Sequence, residues 1–458
     1  MILGSARHQK SRQLELPFSG RGEAPRGERS GEALTAEPGD GRSGTSHQLE
    51  EVVERGNVER ALQRVKKNGG SAGVDGMSVE ELPSYLAAHW ESTRDQLLSG
   101  TYQPQPVKRQ EIRKQGGGVR QLGIPTVLDR MIQQAILQVL QPLFDPTFSE
   151  HSYGFRPGRR AHDAVLAAQS YIQEGRRVVV DVDLEKFFDR VQHDVLMERL
   201  SRRIGDRLLL ALIRRYLEAG ILAGGVTMER HEGTPQGGPL SPLLANVLLD
   251  EVDRELEKRG HAFVRYADDC NVYVRSKRAG ERVKGALREM YAKLRLVVNE
   301  SKSAVDWAWN RKLLGYSFWI APGRAVKCRV APQALRTMKE RVRETTGRNG
   351  GRSLSQVIEK LKSYLPGWKE YFRLAQTPAI FADLDKWIRR RLRLVQLKQW
   401  KRGRTVFRKL RARGVPEIEA ARAASHARRW WLTSKHKALS IALPTSYYDR
   451  LGVPRLAR

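Results

Sequence analysis

The stretch 263–274 most constrains what this chain can fold into. Two short runs rich in Val, Phe and Tyr flank Ala267, Asp268 and Asp269, a pattern that predicts a β-hairpin with acid at its tip. Adjacent carboxylates between apolar strands are costly unless a counter-charge lies beside them, and a divalent cation would supply one. An Asp-Asp turn that faces water is the alternative for the dipeptide alone, so the rest of the chain must decide.

A second acidic strand end precedes this hairpin. The run 177–183 predicts a buried strand with Asp181 and Asp183 on one face, because side chains alternate along a strand. Acidic strand ends that converge suit a two-metal site for nucleotidyl transfer, in which carboxylates bridge two ions about 4 Å apart. Mg²⁺ fits this role because it accepts few protein carboxylates and keeps positions for phosphate oxygens; Mn²⁺ is a possible substitute.

The charge balance indicates the class of partner. The 458 residues include 82 Lys and Arg against 51 Asp and Glu, a formal net charge of +31. Such an excess indicates a polyanion, nucleic acid before a membrane surface, because counterion release drives that binding. No apolar run approaches the ~18 residues of a membrane span, and the N-terminus lacks a secretory core. With only two cysteines, we expect a bacterial cytoplasmic, nucleoid-associated protein.

Two further segments, one before both acidic sites and one between them, suit nucleotide binding. Residues 107–125 predict a basic hairpin whose turn brings Lys114 and Arg120 together, either to clamp a triphosphate or to keep a β edge soluble. In 232–247 a Pro/Gly turn opens an apolar helix, so backbone N–H groups and Gln236 could face a ligand there. The Gly-rich loop 69–76 is not a P-loop, since no Gly-Lys-Ser/Thr follows it; a nucleic-acid contact and a plain connector stay equally open.

The last third of the chain predicts helices and a cationic surface. One helix places Trp387, Ile388, Leu392 and Val395 on a single face. Residues 386–413 contain thirteen Lys and Arg and no Asp or Glu. A solvated cationic face is the alternative, but interleaved Trp400 and Phe407 favour RNA binding. The candidate RNA and DNA contacts are Arg389, Arg390, Arg391, Lys398, Lys401, Arg402 and Arg404.

As a set, these motifs resemble those of reverse transcriptases, and specifically the group II intron-encoded reverse transcriptase/maturase family, over residues 49–458. The resemblance implies that Tyr266 to Asp269 form the catalytic hairpin and that Asp183 is the third carboxylate, with Asp181 a weaker competitor. It implies that Asp183, Asp268 and Asp269 hold two Mg²⁺ ions, and that Phe188 excludes a 2′-hydroxyl. The implied dNTP contacts are Lys114, Arg120, Phe188, Gln236 and Gly237. Other matching segments are 153–157, 299–303, 314–318 and 366–372.

The resemblance also implies an α+β right-hand polymerase with an antiparallel sheet in its fingers and palm. The expected regions are a disordered tail (1–47), an N-terminal helical extension (48–107), fingers and palm (108–322), a helical thumb or maturase domain (323–403) and a basic DNA-binding region (404–458). No Cys pairs of the kind found in the endonuclease domain of many relatives follow, so we expect the endonuclease-lacking type.

The implied function is RNA-directed DNA synthesis from dNTPs, with binding of group II intron RNA to assist splicing. Target DNA and a primer strand would then serve target-primed cDNA synthesis during intron mobility. Two alternatives stay open from the residues: a splicing-only RNA-binding cofactor, and a domesticated relative acting in defence or repair. The sequence does not indicate an oligomeric state.

Overall fold

The computed structural model describes residues 47–113, 119–223, 226–228, 230, 232–347, 350–427 and 429–457. The chain divides between Leu314 and Gly315 into an N-terminal and a C-terminal unit. The predicted tail lies outside the described residues apart from His47, and so does Lys114. Among the described residues no helix combines the length and apolar character needed to cross a bilayer.

The N-terminal unit alternates helices with short strands. The N-terminal helices α1 and α2 pack on α4, so they share the core of this unit. Asn57 of α2 donates to the carbonyl oxygen of Ala135 at 3.1 Å, which joins the two helices by a buried hydrogen bond. The elements, in order, are α1 Gln48–Val53, α2 Arg55–Asn68, α3 Leu82–Leu98, β1 Val107–Arg113, β2 Val119–Ile124, α4 Val127–Phe144, α5 Ala161–Gln173, β3 Val178–Val182, α6 His193–Ser201, α7 Arg207–Glu218, β4 Ile221–Ala223, β5 Val226–Met228, α8 Ser241–Lys258, β6 Ala262–Tyr266, β7 Asp269–Val274, α9 Lys277–Lys293 and β8 Ala304–Trp307.

Two sheets lie in this unit. The first sheet has the order β2-β1-β4-β5, with a parallel pairing of β1 and β4 between two antiparallel hairpins. The central sheet has the order β6-β7-β3-β8 and is antiparallel throughout. Helix α9 packs on β3, β7 and β8, and α5 and α8 pack on β6. The mixed helix and sheet content predicted from the sequence is therefore confirmed.

The C-terminal unit is one hairpin followed by helices. Its second helix buries apolar residues at helical spacing: Leu354, Val357, Ile358, Leu361 and Leu365. The elements are β9 Tyr316–Ile320, β10 Val326–Val330, α10 Pro332–Thr345, α11 Leu354–Tyr371, α12 Pro378–Trp400, α13 Gly403–Arg411, α14 Glu417–Ser425, α15 Trp430–Thr433, α16 Lys437–Ala442 and α17 Thr445–Arg450.

The 366–372 segment begins with a proline inside a helix. Helix α11 continues through Pro366 to Tyr371. A proline inside a helix removes one backbone hydrogen bond, which is a local penalty. Trp368 and Phe372 follow directly, are each 1% exposed, and contact one another with ring centroids 4.8 Å apart. Burial of these two rings outweighs the lost hydrogen bond, so tertiary packing keeps the helix intact.

Candidate active site at the acidic end of the central sheet

The three predicted carboxylates lie at the same end of the central sheet. Tyr266 pairs with Asp269 in the β6–β7 hairpin, which leaves Ala267 and Asp268 as a two-residue turn. Strand β3 pairs with β7 through Val182 and Cys270, so the next position in that register sets Asp183 beside Asp269. The expected hairpin and its acidic tip are therefore present, with the second acidic strand end alongside.

A buried ion pair between Arg265 and Asp253 stabilises the turn at Ala267 and Asp268. Arg265 and Asp253 are both fully buried, and the guanidinium lies 2.6 Å from the carboxylate. The same guanidinium donates to Oδ1 of Asn246 at 2.9 Å and to the carbonyl oxygen of Ala267 at 3.0 Å. Burial disfavours the charged guanidinium, but Asp253 more than reverses this effect and raises the pKa of Arg265. This pair was not among the predicted residues; an Arg inside the apolar strand was the available signal.

The segment 151–154 covers the outer edge of β6. Arg265 donates its N–H to the carbonyl oxygen of His151, and the N–H of Tyr153 donates to the carbonyl oxygen of Arg265, each at 2.9 Å. Gly154 then passes so close to the turn that a Cβ there would lie 2.3 Å from the backbone nitrogen of Ala267. Only glycine fits, which gives the 153–157 motif a structural reason: it closes the sheet edge and positions the turn.

Asp183 and Asp181 have different partners. The Asp183 N–H donates to Oγ of Ser303 at 3.0 Å, and Lys302 Nζ lies 3.2 Å from Asp183 Oδ1. Arg311 instead binds the Asp181 carboxylate at 2.6 Å. Burial raises the pKa of Asp181, and the Arg311 charge offsets this in part. Asp181 is thus held by a structural cation, whereas Asp183 has a flexible, largely exposed lysine as its counter-charge.

One backbone segment links the nucleotide-binding candidates. The N–H of Thr234 donates to the carbonyl oxygen of Phe188 at 2.7 Å. The N–H of Gly123 in β2 donates to the carbonyl oxygen of Gln236 at 3.0 Å. Gly237 has φ +139°, and a Cβ there would lie 2.6 Å from the oxygen of Gly123. The structure thus joins the predicted Phe188, Gln236 and Gly237 positions to the first sheet.

The basic hairpin of the first sheet is described only in part. Arg120 pairs with Ile112 in the β1–β2 ladder, while its side chain lies outside the described part of the chain. The prediction that Lys114 and Arg120 clamp a triphosphate therefore stays a prediction.

The carboxylates alone do not make a closed metal cage. Among the described residues no three His, Cys, Asp or Glu side chains gather closely enough to hold an ion. Mg²⁺ commonly binds through one or two carboxylates and completes its shell with water and substrate phosphates. The ammonium group of Lys302 beside Asp183 shows that a cation is accommodated at this position. The donor set therefore fits Mg²⁺ in a site that the substrate completes.

The basic candidates of the C-terminal unit divide into two groups. Arg390 lies over the Trp431 ring, 3.2 Å from its centroid, and donates to Oγ of Ser434. Arg391 donates to Oγ1 of Thr346 at 2.9 Å. These two arginines hold the unit together, and Arg389 is half-buried. The exposed candidates are Lys398, Lys401, Arg402 and Arg404.

Trp400, which was interpreted as one of the aromatic residues that favour RNA binding, lies inside the C-terminal unit. Its indole is only 6% exposed, and Arg413 lies over the ring at 5.3 Å. Burial of the large apolar ring at the end of α12 explains the difference, because the core gains more from this indole than the surface would.

Family models match both units. The model described as "Reverse transcriptase (RNA-dependent DNA polymerase)" matches residues 112–318 and includes the whole acidic end of the central sheet. The chain thus contains a reverse transcriptase region. A second model, "Group II intron, maturase-specific domain", matches residues 335–414. The chain therefore combines a reverse transcriptase region with a region that matches the group II intron maturase-specific domain.

Curated relatives agree with this assignment. Protein YkfC of Escherichia coli is 39% identical over 197 residues, which are 42% of this chain and 52% of YkfC. Group II intron-encoded protein LtrA of Lactococcus lactis is 37% identical over 182 residues, 40% of this chain and 29% of LtrA. The chain thus spans about half of YkfC and less than a third of LtrA. A solved Cas6-RT-Cas1–Cas2 complex matches at 27% identity over 54% of this chain and 42% of that chain, with a TM-score of 0.35, too low for a comparison of folds.

Proposed function

We propose that this chain is an RNA-directed DNA polymerase that also binds group II intron RNA, assists its splicing and supports mobility by target-primed cDNA synthesis. The observation that carries the proposal is the position of Asp183 beside the turn at Ala267 and Asp268. The Gln236 segment adds support, because its backbone connects that end of the central sheet to the first sheet.

In the proposed reaction, the primer 3′-hydroxyl attacks the α-phosphate of a dNTP and pyrophosphate leaves. Bound Mg²⁺ would supply charge neutralisation and orientation of the phosphates. Asp183 and Asp268 are the proposed ligands of two ions, and Asp269 supports the site. The contribution of this chain is mainly positioning: Arg265 fixes the turn, so the carboxylates need little reorganisation when substrate arrives.

The nucleotide would be selected by the residues around the linking segment. Phe188 would exclude a 2′-hydroxyl with its ring, which lies 5.1 Å from that of Phe187. Gln236 and Gly237 would line the base and sugar pocket. Lys114 and Arg120 would neutralise the triphosphate from the hairpin of the first sheet. In this arrangement the first sheet corresponds to fingers, and the central sheet corresponds to the palm.

The C-terminal unit would bind nucleic acid. We propose residues 323–403 as the thumb and maturase domain, and residues 404–458 as the DNA-binding region. The maturase-specific match and the absence of Asp and Glu over 386–413 support this. Lys398, Lys401, Arg402 and Arg404 are the proposed phosphate contacts, because exposed cations release counterions when they bind a phosphate backbone.

Primer extension tests the enzyme proposal. Purified protein is given Mg²⁺, dNTPs and a DNA primer on an RNA template, and cDNA is measured by gel. Asp183→Ala and Asp268→Ala should lower extension by about a thousandfold or more, since a metal ligand is lost. Asp269→Ala should have the smaller defect. Asp194→Ala is a matched control, because Asp194 is exposed on α6 and pairs with Arg214.

Two results would count against the proposal. Absence of cDNA with the unaltered protein would refute the proposed polymerase activity. Equal defects at Asp268 and Asp269 would refute the proposal that Asp268 binds the metal ions while Asp269 only supports the site. Splicing of intron RNA in the presence of Asp268→Ala separates the two activities: we expect splicing assistance to persist, since RNA binding is assigned to other residues.

A further inference from the structure

The end of the central sheet opposite the acidic turn is rich in arginine. Strand β7 runs from Asp269 to Val274, so this end lies about 17 Å from the turn at roughly 3.4 Å per residue. A hollow of ≈ 500 Å³ opens there beside the first half of α9. None of the described residues that line it is Asp or Glu. Its arginines are Arg176, Arg259, Arg275 and Arg282.

Two of these four arginines form no ion pair with any other described residue. Arg176 pairs with Glu174, and Arg259 pairs with Glu255 at 2.7 Å. Arg275 and Arg282 are exposed, and neither forms an ion pair with another residue in the part of the chain that the structure describes. Like charges around one hollow repel each other, so an anion bound between them would relieve that repulsion.

An aromatic surface lies in the same part of the sheet. Val274, Val178 and Trp307 follow one another across β7, β3 and β8 in the ladder, so Val274 and Trp307 are about 10 Å apart. Trp307 is 38% exposed and lies parallel to Trp309, with ring centroids 5.0 Å apart. The exposed indole and the arginine-lined hollow therefore lie at the same end of the sheet, on either side of the first turn of α9, where Gly280 packs on Val178.

These features share one ligand chemistry. Guanidinium groups bind phosphates through paired hydrogen bonds, and an exposed indole stacks on an unpaired base. An acidic peptide would satisfy the arginines alone and leave the indole without a role. The apolar floor formed by Ala262, Val274 and Val283 suits a base or sugar better than a second charge.

We propose that the arginine-lined hollow and Trp307 form a second RNA-binding site, which takes an unpaired RNA segment. This rests on the proposed function in one respect: RNA is the polymer that the chain handles. The site lies away from the acidic end, so it would hold intron or template RNA while the reaction end stays free for primer and nucleotide.

Binding of labelled RNA to the full chain tests the site. The probe is a fluorescein-labelled oligouridine of about 20 nucleotides, measured by anisotropy with a short unlabelled RNA–DNA primer–template in saturating amount to occupy the acidic end. Arg275→Gln/Arg282→Gln should weaken binding about tenfold near 150 mM salt. It should also lower the slope of log K against log salt by about 1.4, since each single-strand phosphate contact contributes about 0.7.

A matched control keeps this test specific. Arg203 and Arg207 are exposed arginines near the start of α7 without an ion pair to any other described residue. Arg203→Gln/Arg207→Gln removes the same charge and should leave affinity and slope unchanged. Trp307→Ala should weaken binding and Trp307→Phe should restore most of it, because phenylalanine retains a stacking face; melting temperatures establish that each variant is folded.

Three outcomes would overturn the proposal: an unchanged slope in Arg275→Gln/Arg282→Gln, an equal loss in the control pair, or displacement of the probe by polyglutamate as effective as by unlabelled oligouridine. Primer extension on the short duplex should be normal in Arg275→Gln/Arg282→Gln. If the unaltered protein binds oligouridine through this site but extends no primer, the polymerase proposal fails and the RNA site stands.

Discussion

Replacement of Arg265 by methionine should destabilise the protein strongly. The change leaves the Asp253 carboxylate fully buried and without its cation, and loss of one partner from a buried pair costs about 3–5 kcal/mol. The donated hydrogen bonds to Asn246 and Ala267 are lost as well. Methionine has a similar length and no charge, so the effect reports the lost ion pair more than a cavity.

Urea denaturation measured by circular dichroism gives the free energy of unfolding for a double-mutant cycle. The second arm is Asp253→Leu, and the double variant combines both changes. Because two apolar side chains leave no buried charge, the double variant should recover much of the stability lost in either single variant. Independent, additive losses of less than 1 kcal/mol would refute the argument that this pair supports the hairpin.

The same variants should separate stability from activity. In the double variant no guanidinium holds the carbonyl oxygen of Ala267, so the turn that carries Asp268 is less fixed. A small misplacement of reacting groups can lower a rate about a hundredfold. We therefore expect a folded double variant with weak primer extension. Full activity in that variant would show that the ion pair does not position the turn.

Three further changes test the linking segment and two residues that contact it or its neighbour Gly233. Phe188→Ala should raise incorporation of ribonucleotides relative to deoxynucleotides by about tenfold or more, measured by single-nucleotide extension, because the ring no longer excludes the 2′-hydroxyl; an unchanged ratio would remove the steric role. Gly237→Ala should lower stability by about 1–3 kcal/mol in thermal melts, since its φ of +139° is strained for alanine and the methyl group meets Gly123. Burial lowers the pKa of His193 from its usual 6.5, and its hydrogen bond to Gly233 offsets this only in part. The unfolded chain then takes up the proton more readily, so stability is complete above pH 6.5 and falls as the pH decreases below it; His193→Gln should show less of this loss between pH 7.5 and 5.5.

The acidic end of the sheet could be predicted because its signals are local. Apolar runs on both sides of Ala267 to Asp269 define the hairpin, and the apolar run 178–180 identifies the strand before Asp183. The helices of the last third also follow from the spacing of their apolar residues. In each case the residues that decide the structure are close together along the chain.

The supports of the site could not be predicted in this way. Arg265 meets Asp253 from a different element, and Lys302 reaches Asp183 from more than a hundred residues away, so no local pattern records either contact. The same limit explains why the internal contacts of Arg390 and Arg391 and the burial of Trp400 were not predicted. A dense run of arginines predicts a cationic surface, but only the packing of α12 against its neighbours decides which side chains turn inward.

The linking segment at 234–238 has a consequence for protein engineering. Its hydrogen bonds to Phe188 and Gly123 use backbone atoms, so these bonds do not depend on which side chain stands at position 188 or 236. A library that varies Phe188 and Gln236 together, with Gly237 kept, would therefore alter the proposed nucleotide pocket while these backbone hydrogen bonds are retained. Selection from such a library for modified sugars or bases would also have to keep or replace the packing of Phe188 against the core.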